Sequence, residues 1–112
     1  MEAIAILEKA KAGGLYDALI SQLNKDFLRA GLSEQFDEHI KAEALARSLQ
    51  ATLYDQILSD FETYLTLLYT IDVSEAKIKA LPPMEVHELT GVVSALILER
   101  ELLKISFKNK PG

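Results

Sequence analysis

The fold class is decided by residues 53–71, which read LYDQILSDFETYLTLLYTI. Apolar side chains recur through this stretch at helical spacings of three and four residues, and they cover more than half of a helical wheel. An ordinary surface helix needs an apolar stripe of only about 100°. We therefore expect this segment to lie at the centre of a helical bundle or to contact another molecule.

The rest of the chain has the same helical periodicity, interrupted by glycine and proline. We expect helices over residues 2–12, 15–30, 34–71, 72–81 and 83–107, of which the first and fourth are short. Alternating apolar and polar runs that would indicate a β-hairpin are absent from the sequence.

Local signals define where these helices begin and end. The diglycine Gly13–Gly14 favours a break between the first two helices, although one continuous helix through it stays open. Gly31 suits the left-handed position that follows a helix, and Ser33 is a suitable cap for the third helix. Asp72 and Glu75 have the spacing of a capping box, which predicts a helix start at this point.

The sequence thus predicts a single all-α domain over residues 1–112. Its length leaves room for one hydrophobic core, and an apolar fraction of 49% is sufficient to fill that core. We expect a small helical bundle of three main helices plus one or two short helices, largely antiparallel.

Composition excludes several classes of function. The chain has no cysteine, so it has no disulfide, cysteine-ligated zinc site or thiol nucleophile. A net charge of −5 disfavours nucleic acid as a partner. The longest uncharged run, Leu89–Leu98, is shorter than the roughly 20 residues of a membrane span, and the N-terminus does not resemble a signal peptide. We expect a cytoplasmic protein that binds neither nucleic acid nor membranes.

The two histidines do not indicate a metal site. Neither His39 nor His87 is preceded at three residues by the glutamate that a ferritin-like di-metal motif requires. His39, Glu43 and Arg47 have the four-residue spacing of an exposed ion ladder on a helix. Since no activated nucleophile is recognisable either, we expect no catalytic residue, no metal and no cofactor, and thus a protein that is not an enzyme.

Three tyrosines, Tyr54, Tyr64 and Tyr69, lie on or beside the broad apolar face of the third predicted helix. Such side chains commonly pack into a core with the hydroxyl group at its rim. The alternative is a pocket between the third helix and the last, in which the tyrosines would contact a small ligand.

Charged side chains of the last helix need partners of their own. Arg100 falls on an apolar stripe, where its guanidinium either reaches solvent or pairs with a carboxylate inside the bundle. We expect a carboxylate partner and treat Arg100 as a candidate buried charge. Lys104, Lys108 and Lys110 either complement the dipole of their own helix end or contact an anion or partner.

The last helix has a second apolar stripe, roughly opposite the first. It consists of Gly91, Ala95, Leu98, Leu102 and Ile105. A small bundle has few helices to cover two faces of one helix, and a bare stripe would exceed the apolar patch that monomers usually expose. We expect this stripe to form a two-fold homodimer interface. The alternative is that the first two helices cover it within one chain.

Three segments, Leu67–Ser74, Leu96–Glu101 and Phe107–Lys110, resemble short uncharacterised bacterial proteins that are entirely helical. That resemblance implies an all-α fold and no particular activity. The sequence therefore favours a non-enzymatic interaction module that acts through an apolar helical surface as a homo-oligomer or with a helical partner protein. The alternative is a regulatory or small-molecule-binding domain with the tyrosine-lined pocket.

Overall fold

Six helices form the regular structure of residues 2–108, the part of the chain that the computed structural model describes. They are α1 (Ala3–Ala12), α2 (Tyr16–Arg29), α3 (Ala42–Ser59), α4 (Phe61–Ile71), α5 (Glu75–Lys79) and α6 (Val86–Lys108). No strand occurs in this part of the chain. The prediction of an all-α bundle is confirmed.

The longest helix, α6, is the centre of the bundle. Helices α1, α2, α3 and α4 all pack against it. Its buried apolar side chains come from both predicted stripes; they are Val93, Ala95, Ile97, Leu98 and Ile105. Both apolar faces of α6 are thus covered within one chain over most of their length, while Leu103 and Phe107 near its C-terminal end are exposed.

Two helices end on glycines in the left-handed conformation. Gly14 follows α1 with φ +71°, and Gly31 follows α2 with φ +90°. In both places the amide of the next residue, Leu15 or Leu32, donates a hydrogen bond to the carbonyl five residues earlier, at 2.8 and 2.9 Å. These are Schellman motifs, which satisfy carbonyls that a helix end leaves free. The expected break at the diglycine is confirmed.

The third predicted helix starts later than expected, because residues 32–41 form a loop rather than its first turns. The Asn24 side chain accepts a hydrogen bond from the Phe36 amide at 2.8 Å and donates one to the Phe36 carbonyl at 2.9 Å. The Phe36 ring packs edge-on against Phe27 at 5.2 Å between centroids. These tertiary contacts supply the backbone partners that a helix would otherwise provide. Ser33 therefore caps no helix.

The same predicted helix is also divided at Asp60, whose φ of −154° and ψ of 71° are not helical. Its carboxylate accepts hydrogen bonds from the Thr63 amide at 3.2 Å and the Thr63 hydroxyl at 2.6 Å. Asp60 thereby caps α4. The predicted capping box at Asp72 is also wrong, because Asp72 ends α4 and Ser74 caps α5.

Asp72 joins the end of α4 to α6. It adopts the left-handed conformation with φ 70° and ψ 44°, so it takes the position that glycine has after α1 and α2. Its Oδ2 accepts a hydrogen bond from the Arg100 guanidinium at 2.8 Å. The predicted carboxylate partner of Arg100 is confirmed. The prediction of a buried charge is wrong, because Asp72 is 76% exposed and the pair lies at the rim of the bundle.

Substitution of Asp72 separates the backbone cost from the ion pair. A left-handed conformation costs an L-residue about 1–2 kcal/mol, whereas an exposed ion pair contributes at most about 1 kcal/mol. We expect Asp72→Gly to be more stable than Asp72→Ala by about 1 kcal/mol in urea denaturation, although both lack the ion pair. Asparagine also tolerates the left-handed conformation, so Asp72→Asn measures the contribution of the carboxylate charge to stability. Equal stability of the Gly and Ala variants would contradict this interpretation.

Candidate functional site

The predicted dimer stripe lies inside the chain. Leu98 is fully buried, and Ala95 and Ile105 are 8% and 3% exposed. Gly91 and Leu102 are half-buried. The prediction that this stripe is a free interface is wrong, because α1, α2 and α3 pack against α6. Self-association itself stays a prediction and requires another surface.

The three tyrosines occupy different environments. Tyr64 is buried at 3% exposure, while Tyr54 is 39% exposed and Tyr69 is 86% exposed. Tyr69 lines a groove between α4 and α5, and neither of the other two tyrosines lines that groove. Burial raises the pKa of Tyr64 above its ordinary value, as expected for core packing. The structure does not bring the three tyrosines into one pocket.

An exposed apolar face runs along α4. Phe61, Leu65 and Tyr69 are spaced four residues apart and are 53%, 48% and 86% exposed. We call these three residues the α4 face. The opposite side of α4 is buried and includes Tyr64 and Leu67. The groove beside the α4 face has a volume of about 840 Å³. That volume is within the range of small-ligand clefts, so it does not by itself distinguish a ligand from a protein partner.

A second unusual feature is a buried charge cluster between α2 and α6. Asp26 and Glu101 are both fully buried. The Lys104 ammonium lies 2.6 Å from Asp26 Oδ2 and 2.9 Å from Glu101 Oε1. It also donates a hydrogen bond to the Ile71 carbonyl at 3.2 Å, near the end of α4. Lys104 therefore points into the bundle instead of complementing the helix end.

Further polar groups surround this cluster. The Gln22 amide donates to both carboxylate oxygens of Asp26 at 3.2 Å, and the Lys108 ammonium donates to Gln22 Oε1 at 2.9 Å. The Arg29 guanidinium lies 3.7 Å from Asp26 Oδ1. These contacts provide partners for the buried Asp26 carboxylate, whose charge would be costly to bury alone. Lys110 lies outside the described residues.

The pKa values of the two acids in the cluster shift in opposite directions. Burial raises the pKa of Glu101 to about 8, and its hydrogen bond with Asp26 adds to this effect. Burial would also raise the pKa of Asp26, but hydrogen bonds with Glu101, Lys104 and Gln22 outweigh it and lower that pKa. Burial lowers the pKa of Lys104, yet the two carboxyl groups outweigh it and raise that pKa. These directions favour a proton on Glu101, with Asp26 as the carboxylate and Lys104 as the ammonium.

Sequence reasoning missed this cluster, although a signal was present. Glu101 lies four residues after Ile97 and four before Ile105, so it falls on a buried stripe of α6. Asp26 directly precedes Phe27 and follows Leu23 by three residues on the buried side of α2. When each of two helices has a carboxylate on its apolar stripe, a cluster of charged side chains is expected where the two stripes pack together.

The histidines lie apart from both features. His39 is in the loop before α3, where it lies 3.4 Å from Glu38, so the predicted ladder with Glu43 and Arg47 is wrong. His87 is exposed near the start of α6. Residues 2–108 contain no group of three or more potential metal ligands. Within the same range, no helix combines the length and apolar character that crossing a bilayer requires.

No family model, curated protein or solved structure matches this chain. The resemblance to short bacterial helical proteins consequently contributes nothing to the functional interpretation. That interpretation depends on the α4 face, the grooves and the charge cluster.

The buried position of Leu98 gives a direct test of the core. We expect Leu98→Ala to cost about 2–5 kcal/mol of unfolding free energy, because it removes fully packed atoms from the centre of the bundle. Leu98→Glu should give an unfolded or aggregated chain, since it buries an unpaired charge. Urea denaturation followed by circular dichroism measures both variants. A folded Leu98→Glu monomer of normal stability would contradict the placement of this stripe.

The raised pKa of Glu101 makes stability depend on pH. Between its ordinary pKa of 4.5 and about 8, the folded chain retains a proton that the unfolded chain releases. Stability should therefore fall as the pH rises through this window, by up to about 1.4 kcal/mol per pH unit. The lowered pKa of Asp26 acts only at more acidic pH, where its stabilising contribution is lost as the pH falls.

Glu101→Gln should remove this dependence, because an amide does not titrate. The measurement is the difference in unfolding free energy between the variant and the unmodified chain at several pH values from about 5 to about 8. Contributions from other groups cancel in that difference. Parallel stability curves for the two proteins would show that Glu101 titrates normally.

Proposed function

We propose that this chain is a non-enzymatic interaction module that pairs with a second copy of itself through the α4 face. The observation that supports this most directly is the exposure of Phe61, Leu65 and Tyr69 on one side of a single helix. Phenylalanine and tyrosine are enriched at protein interfaces, and tyrosine is among the residue types that contribute most of the binding energy there. Leu58, 60% exposed at the end of α3, adds apolar surface close to it in sequence.

The absence of charge on the α4 face makes this face the place where a second copy can approach. The chain has a net charge of −5, so two copies repel each other over most orientations. Helix α4 has a single charged residue, Glu62, and the three residues of its exposed face are uncharged. Two α4 faces can therefore approach with little repulsion and bury apolar surface on both sides. A two-fold axis closes such a pair without leaving a free face.

Substitutions on the α4 face test this proposal. We expect Leu65→Glu to weaken dimerisation by at least about tenfold, because a two-fold interface would bring two new carboxylates together. Light scattering during size exclusion, over a range of protein concentrations, measures the association. Circular dichroism checks that the variant stays folded, as expected for a side chain that is 48% exposed.

Ile4→Glu is a matched control, because Ile4 is an aliphatic residue on a helix with 42% exposure and lies on α1. It should leave the association unchanged. A monomeric unmodified protein at high micromolar concentration would overturn the proposal. An equal effect of the control and Leu65→Glu would also overturn it, because the association would then not depend on the α4 face.

A further inference from the structure

A groove separate from the α4 face lies where α1, α3 and α6 meet. Its volume is about 680 Å³. Most of its lining is apolar or small; these residues are Ala3, Ile4, Ala46, Gly91, Val92, Ala95 and Leu96. We call this the Gly91 groove. An apolar cleft of this size accommodates side chains of a ligand or partner.

Gly91 leaves space in this groove because it has no side chain, and the fold itself does not require glycine at this position. It lies within α6 and has no left-handed backbone conformation. A Cβ atom added there would meet one neighbour, the Gln50 side-chain nitrogen, at an ordinary contact distance of 3.6 Å. Glycine inside a helix costs about 0.5–1 kcal/mol relative to alanine. Neither backbone geometry nor core packing requires that cost, whereas an occupant approaching α6 closely would use the space.

The charge of the groove indicates the chemistry of its occupant. Three glutamates line it, Glu2, Glu88 and Glu99, and no lysine, arginine or histidine does. Glu99 pairs with Lys77 at 3.3 Å, whereas no ion pair joins Glu2 or Glu88 to another described residue. An apolar floor with acidic residues beside it is complementary to a segment with apolar side chains on one face and basic side chains next to them.

We propose that the Gly91 groove binds a basic amphipathic helix of a partner protein. Residues 2–108 contain no β-strand, so an extended peptide would find no sheet edge with which to pair. A helix satisfies its own backbone and places only side chains in a groove. A second copy of this chain is a poorer occupant here than at the uncharged α4 face, because its net charge is negative and three glutamates line the groove. This surface is independent of the α4 face, and both can be occupied at once.

A designed peptide probes the groove directly. The probe is a fluorescein-labelled amphipathic helix of leucine and lysine, and its control has glutamate in place of lysine. We expect fluorescence anisotropy to show binding of the lysine peptide, weakened by salt, and no binding of the glutamate peptide. In ¹⁵N spectra of the protein, the lysine peptide should shift resonances of residues lining the groove. Failure of the lysine peptide to bind would overturn the proposal.

Two substitutions and one control establish the site. Gly91→Leu fills the groove and Glu88→Lys reverses a charge beside it, so each should weaken binding by about tenfold or more. Glu62→Lys is the matched control, because Glu62 and Glu88 are both exposed acids in the first turn of a helix. It should leave the affinity unchanged.

If Gly91→Leu fails to fold, the comparison of Glu88→Lys with Glu62→Lys decides alone. Equal weakening by these two charge reversals would show attraction to net charge only and would overturn the proposal. Resonance shifts confined to Phe61, Leu65 and Tyr69 would also overturn it, because the peptide would then occupy the α4 face. Dimerisation is measured without peptide, so failure of either proposal is recognised separately.

Discussion

Burial of α6 on both of its apolar faces is the constraint on which the rest of the structure depends. A helix of 23 residues that is apolar on two sides needs neighbours on both of those sides. The chain meets this need by packing α1, α2, α3 and α4 against α6. Turning the chain sharply between those helices requires compact helix ends. Gly14 and Gly31 provide them in the left-handed conformation, and Asp72 does so at a backbone cost.

The same constraint places charge inside the bundle. Helix α2 contributes Asp26 and α6 contributes Glu101, and both lie on faces that must be buried. Lys104 reaches inward to both. Burial raises the pKa of Glu101, and the neighbouring Asp26 carboxylate adds to this effect, so a proton on Glu101 is favoured. Hydrophobic residues of similar volume often stabilise a core at least as well as such a cluster. Its distinct contribution is directional, since the Lys104 contacts fix α2, α4 and α6 relative to one another.

Sequence periodicity and residue chemistry correctly predicted the features that depend on interactions local in the sequence or on the chemistry of a single residue. Helical segments, the glycine-terminated ends of α1 and α2, and a carboxylate partner for Arg100 all follow from spacing and residue chemistry. The loop before α3 could not be predicted, because Asn24 holds Phe36 from a different helix. The interface residues were misplaced for the same reason. Apolar residues such as Ala95 and Leu98 indicate that this face of the helix is buried. The sequence pattern is the same whether the face packs against the same chain or against another chain.

Helix α4 is an element that the rest of the chain covers on one side only. One side of it is buried in the bundle, and the other side exposes Phe61, Leu65 and Tyr69. The element that follows is α5, which has only five residues, none of them buried. So short a helix shields little of the apolar surface beside it. The broad apolar pattern of residues 53–71 therefore has two origins: half of it packs against the bundle, and the remainder is the surface for which a second molecule is proposed.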